Sequence, residues 1–176
     1  MAGDRVSLDV SSSKLLEALT ASNVPLLMSG RVAERFRNCS QNSDSVEVEI
    51  ILKPDLMCAA KLMRAFDSIL KDFVAGGSNI QDVNKMATPG FRIRPFLTST
   101  DHLLTVAESV TAFEAMQVRS TLAAIFESNL MVLAIEDIIL LKQQYAEYWR
   151  EKYLKHGVDL QRLQDKLAAR NAVEKY

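Results

Sequence analysis

The sequence is short of the residues that bind soft metals. It has two cysteines and two histidines in 176 residues. Cys39 and Cys58 form no Cys-x-x-Cys and His102 and His156 lie far apart, so neither a disulfide framework nor a Cys/His zinc site is indicated. Glycine (6) and proline (4) are sparse, which excludes collagen-like and low-complexity architectures. An excess of one charge is missing too: 21 Lys and Arg offset 22 Asp and Glu, for a net charge of −1. Tight duplex binding needs a concentrated field of cations, so nucleic acid is not an expected partner beyond local basic patches. Apolar runs such as Ile138 to Leu141 are far too short to cross a bilayer. The first residues, MAGDRVSLDVSSSK, carry acid and base where a secretory signal would be apolar. No membrane partner is expected, and a reducing cytoplasm fits the cysteine usage best.

What is present is a composition of 48% hydrophobic and 24% charged residues, ordinary for a folded domain of this length. One domain is expected over 1–176, with a core from about 12 to 133 and a C-terminal helical segment from about 135 to 172. Ser12 to Asn23 reads as a short helix with serines to cap it. VPLLMSG, 24–30, reads as a buried strand ending at a glycine, and RVAERFRNCS, 31–40, as a helix with Val32, Ala33 and Phe36 at helical spacing. VEVEIILK, 46–53, is a second strand. Pro54 stands where a helix would begin, and Leu56, Ala60, Met63, Phe66, Leu70 and Phe73 predict an amphipathic helix to about Phe73.

Residues 78–90 read as loop with one helical turn, and FRIRPFL and HLLTVAE as strands. Thr111-Ala112-Phe113-Glu114 has the form of a capping box, and TLAAIFESNLMVLA reads as a hairpin around Glu127 to Asn129. From Ile135 a long helix is expected to stop at Gly157, with a last helix beyond it. Tyr145, Tyr148, Trp149 and Tyr153 form a stripe on the long helix, expected to pack on the last helix or on a subunit partner. The sum is an α/β (α+β) fold, a mixed sheet of five or six strands with helices mainly on one side.

Within VEVEIILK, Glu47 and Glu49 share one strand face, while Val46, Val48 and Ile50 occupy the other. Ile51 lies on the glutamate face, so the strand should become buried on both faces toward its end, with the glutamates where the covered sheet opens. Taken alone, the pair fits a solvated strand face better than a metal-holding site.

The surrounding order of features resembles the nucleotidyltransferase fold of the polymerase-β-like, minimal and abortive-infection-type small bacterial nucleotidyltransferases. It comprises a short helix, Leu-Leu-Met-Ser-Gly with Ser29-Gly30, a helix, a carboxylate-x-carboxylate strand, then Lys53-Pro54 and a helix. DHLLTVAESVTAFEAM (101–116), AIEDIILLKQ (134–143) and VDLQRLQDKL (158–167) resemble later segments of the family in the same order, so the resemblance covers about residues 12–167. It implies that the Ser29-Gly30 turn cradles the phosphates of a nucleoside triphosphate and that Glu47 and Glu49 hold Mg²⁺, a hard cation suited to carboxylate, phosphate and water oxygens.

Both family aspartates are glutamates here, which sets each carboxylate farther out by about one C–C bond, ~1.5 Å. The family's third aspartate falls on His102, a poor Mg²⁺ ligand, and leaves Asp101, one residue earlier, as the third catalytic candidate. Lys142 is a candidate triphosphate contact or a helix-surface residue, and Arg31, Arg35 or Arg37 could supply a phosphate-facing charge. With these substitutions the resemblance implies a catalytically degenerate module that binds a nucleotide or a protein, in the manner of a toxin–antitoxin component. The alternative is an active Mg²⁺-dependent enzyme that moves a nucleoside monophosphate from a triphosphate to a protein or RNA hydroxyl. A protein partner or a homo-oligomer is compatible with either.

Overall fold

Leu26, Leu27 and Met28 leave no polar position for either face of a strand, and the strand they begin lies inside a sheet, flanked on both edges. The computed structural model describes residues 10–37, 48–69, 82–93, 96–97, 100–125, 128–146 and 153–173. In chain order its elements are α1 (Val10–Ala21), β1 (Leu26–Ser29), α2 (Gly30–Phe36), β2 (Glu49–Leu52), α3 (Leu56–Ile69), α4 (Val83–Met86), β3 (Arg92–Ile93), β4 (Phe96–Leu97), β5 (Thr100–Asp101), β6 (Leu103–Val106), α5 (Val110–Arg119), β7 (Thr121–Ile125), β8 (Ser128–Val132), α6 (Ile135–Ala146) and α7 (Tyr153–Val173).

The main sheet has six strands in the order β3-β6-β2-β1-β8-β7, and β4 and β5 form a separate two-stranded ribbon. The pairing is mixed, as expected. β1 runs antiparallel to β2 with Ser29 opposite Glu49, and β2 runs parallel to β6 with Glu49 opposite Leu103. β1 also pairs in parallel with β8, and β7 runs antiparallel to β8 with Ile125 opposite Ser128, so Ser128 and Asn129, expected at the hairpin's tip, belong to a strand.

Both sheet faces are covered. Met28, Ile50, Leu52, Leu104 and Val106 bury one face, and Leu27, Ile51 and Thr105 the other. Helices accordingly lie on both sides of the sheet, where the pattern had placed them mainly on one. Helix α1 packs on α3 and α3 on α4, while α2 packs on α6 and α6 on α7. Leu15, Leu16 and Leu19 of α1 and Cys58, Ala59, Leu62, Ala65, Phe66 and Ile69 of α3 are buried at helical spacing. Each fully buried Leu or Ile contributes about 1.5–3 kcal/mol of apolar transfer. Burial pushes the Cys58 thiol up to about 11, so at neutral pH it is a small apolar filler, neither nucleophile nor ligand.

Several boundaries differ from expectation. Helix α3 is capped by the Asp55 carboxylate, which accepts from the Cys58 N–H at 2.6 Å, so Pro54 precedes the cap. FRIRPFL divides between β3 in the main sheet and β4 in the ribbon. The expected boundary at Gly157 fails most clearly, because α7 runs through that glycine. Glycine inside a helix costs only about 1 kcal/mol relative to alanine, and Leu163, buried in the core from α7, offsets it. The expected end of α3 near Phe73 and the aromatics Tyr148 and Trp149 lie outside the described residues, as do the side chains of Tyr145 and Tyr153.

Helix α5 is capped two residues before the expected Thr111, by Ser109, whose hydroxyl accepts from the Ala112 N–H at 3.0 Å. Substituting Ser109 by alanine should therefore cost about 1 kcal/mol and lower the thermal midpoint by roughly 2–4 °C, measured by circular dichroism. Thr111→Ala should change it by less than half as much, and the reverse ranking would restore the capping box.

Candidate active site

The strand-to-helix turn depends on one glycine. Gly30 has φ +58°, a left-handed conformation that disfavours a side chain. The chain leaves β1 at Ser29, which is extended and buried, and enters α2 directly. Ser29 stands at the helix N-cap, yet its side chain makes no capping bond.

Across the antiparallel pair sits Glu49. Its side chain lies so close over Gly30 that a Cβ built there would come within 2.5 Å of the Glu49 Cδ and 2.7 Å of its Cγ. Three of the residues expected at the site, Ser29, Gly30 and Glu49, are thus brought together. The half-buried Glu49 carboxylate covers the turn. Glu47 lies outside the described residues, so the expected metal pair is represented by Glu49 alone.

The third-carboxylate position changes. Because Glu49 pairs with Leu103, the alternation of a strand gives Leu103 and Thr105 the face of Glu49, and His102 falls out of step with it. His102 is buried, 1% exposed, and Leu103, not His102, stands opposite Glu49. The backbone of Asp101 belongs to β5 and pairs with Phe96 in the ribbon, two residues ahead of Leu103; its side chain is outside those described.

Lys142 is neither a solvated helix residue nor a free cation above the turn. Its ammonium lies 2.6 Å from the Glu34 carboxylate, with the two side chains 10% and 1% exposed. Glu34 stands one helical turn beyond Gly30 on the same side of α2. Sequence reasoning missed Glu34, which looks like an ordinary polar position in a short helix; its four-residue spacing from a turn glycine was the one available signal.

Arg37 is likewise committed to the fold. Its Nε donates to the Leu133 carbonyl at 3.0 Å, and its Nη2 to the Val132 carbonyl at 3.1 Å and the Thr121 hydroxyl at 3.2 Å. A second buried carboxylate, Asp137 in the first turn of α6, receives Arg119 through two bonds of 2.5 and 3.1 Å. Among the described residues no three His, Cys, Asp or Glu side chains gather as a metal group. The donor present at the turn still has the right chemistry, since Mg²⁺ is commonly held by one or two carboxylates plus phosphate oxygens and water.

In comparisons with protein families, characterised proteins and solved structures, nothing matched the chain. No helix among the described residues is long and apolar enough to cross a membrane.

Proposed function

We propose that the chain is a nucleotidyltransferase-like binding module, which takes the phosphates of a nucleoside triphosphate at the Ser29-Gly30 turn and is degenerate in catalysis. The observation that carries this reading is the position of Glu49, a carboxylate lying directly over a glycine turn, on a strand paired with the strand that delivers that turn. Backbone at a glycine can approach a phosphate closely, and a carboxylate beside it can share a divalent cation with that phosphate. Bound Mg²⁺ would neutralise the phosphate charge there. Glu49 would hold the cation from the protein side, while Ser29 and Gly30 position the phosphates. Lys142 is already neutralised by Glu34, so α2 contributes no charge from that pair.

Degeneracy follows from the side chains. In-line displacement at phosphorus depends on metal geometry more than on covalent help, and a misplacement of about 1 Å can cost about a hundredfold. Glutamate in place of aspartate moves the ligand by more than that. A second reading, active transfer, is favoured by the parallel pairing of β2 with β6, which brings the segment after Asp101 alongside Glu49. In that reaction an acceptor hydroxyl oxygen bonds to the α-phosphorus as the bond to pyrophosphate breaks, and the hydroxyl proton passes to a carboxylate or water.

The test uses ATP, GTP, CTP and UTP, each labelled on the α-phosphate, with Mg²⁺ or Mn²⁺. The binding module should show a cation-dependent stabilisation by at least one triphosphate, about 2.7 kcal/mol at a hundredfold excess over its dissociation constant, lost in Glu49→Gln, and no transfer of label to itself, tRNA or lysate protein. Absence of any shift would sink both readings. Label transfer abolished in Glu47→Gln and Glu49→Gln would replace the first reading with the second.

A further inference from the structure

Helix α2 joins the candidate site to the far end of the chain. At seven residues it is too short to hold itself together in water, so its placement depends on what grips it. Gly30 opens it under Glu49. One turn on, Glu34 meets Lys142 of α6. At its end the Arg37 carbonyl accepts from the Lys166 ammonium of α7, while the Arg37 guanidinium reaches the Val132 and Leu133 carbonyls after β8. Helix α7 is seated in turn by Leu163, which is 0% exposed, and by Arg170, which pairs with Glu136 of α6. Leu163, Lys166, Leu167 and Arg170 recur at three and four residue intervals, so one stripe of α7 makes these contacts.

We propose that α7 is the positioning element for the Ser29-Gly30 turn: its seating sets α2, and α2 sets Gly30 against Glu49. Each link is a physical contact. Withdrawing Lys166 removes a donor from the terminal carbonyls of a short helix, where no intrahelical partner exists. Fraying at Arg37 lies within two turns of Gly30. At Gly30 the Glu49 side chain lies too close for even a Cβ, so the start of α2 and Glu49 pack directly on each other. A change that lifts α7, whether a partner binding its outer face or a substitution, loosens the turn without touching it.

Hydrogen exchange read by mass spectrometry on the full chain tests this. In Lys166→Met, amides of residues 30–37 should exchange about tenfold faster, the effect of losing one charge-assisted hydrogen bond. Those of α1 and α3 should stay within about twofold of the parent, and Lys166→Arg should restore the parent pattern. A merely structural role for Lys166 would raise exchange throughout in proportion to lost stability, and that result, or unchanged exchange in α2, would overturn the proposal. Should the variant fail to fold, the parent protein in low urea gives the same answer. Amides of α2 and α7 should share one opening transition below that of β1 and β2, and α2 opening together with the sheet would refute the coupling. Neither measurement involves a nucleotide, so failure of the proposed binding function would leave its outcome intact.

Discussion

Lys142→Ala should destabilise the protein by about 3–5 kcal/mol, because it strands Glu34. The Glu34 side chain is 1% exposed and its carboxylate lies 2.6 Å from the ammonium that would be removed. Attraction within a buried pair roughly offsets the cost of taking both ions out of water, so the pair contributes little net stability. Removing one partner leaves the other's desolvation uncompensated. In urea unfolding the loss should appear as a lower midpoint with an unchanged slope, and the thermal midpoint should fall by roughly 10 °C. The double substitution Glu34→Leu with Lys142→Met should recover most of it, since apolar residues of similar volume can replace a buried ion pair at little cost. A loss below about 1 kcal/mol for Lys142→Ala, the range of exposed pairs, would mean that water reaches Glu34 in solution.

Gly30→Ala should cost about 2–5 kcal/mol. Holding a residue with a side chain at φ +58° accounts for ~1–2 kcal/mol. The new methyl would also meet the Glu49 side chain at 2.5 Å, and overpacking of this kind adds about 1–3 kcal/mol. The two contributions separate in a double-mutant cycle. In a Glu49→Ala background the Cγ and Cδ contacts vanish, but the Cβ of residue 49, at 2.8 Å, and the backbone penalty remain. Gly30→Ala should therefore be milder there without becoming neutral, with a coupling of about 0.5–3 kcal/mol. Strict additivity would show that Glu49 turns away from the turn in solution. The cycle thus checks the central contact of the candidate site without a ligand.

The site was partly legible because its parts are local. A glycine after an apolar strand and before helical spacing marks a turn, and so Ser29 and Gly30 could be named from the sequence. Alternation along VEVEIILK put Glu49 on the face opposite Ile50, and the register confirms it. What was not legible depends on contacts distant in the chain. Glu34 and Lys142 are 108 positions apart (142 − 34), and each reads alone as an ordinary helix-surface charge. The parity of His102 relative to Glu49 requires the β2–β6 register, which no pattern within 100–106 specifies. Gly157 misled for another reason: a local breaker was outweighed by the tertiary seating of the helix that crosses it.

The place of β1 in the sheet has a consequence for how the protein is made. One of its edges pairs with β2, the next strand in the chain, but the other pairs with β8, where Met28 meets Val132. During synthesis at about 5–20 residues per second, β1 can join β2 within seconds of emerging, yet its second edge must wait for about a hundred more residues. Until then, the apolar strand Leu26–Ser29 offers its backbone to any other nascent chain. Helix α7 emerges after all of these strands, and with it the lysine that grips the end of α2. The turn beneath Glu49 is therefore specified more than a hundred residues before the helix that finishes it is made.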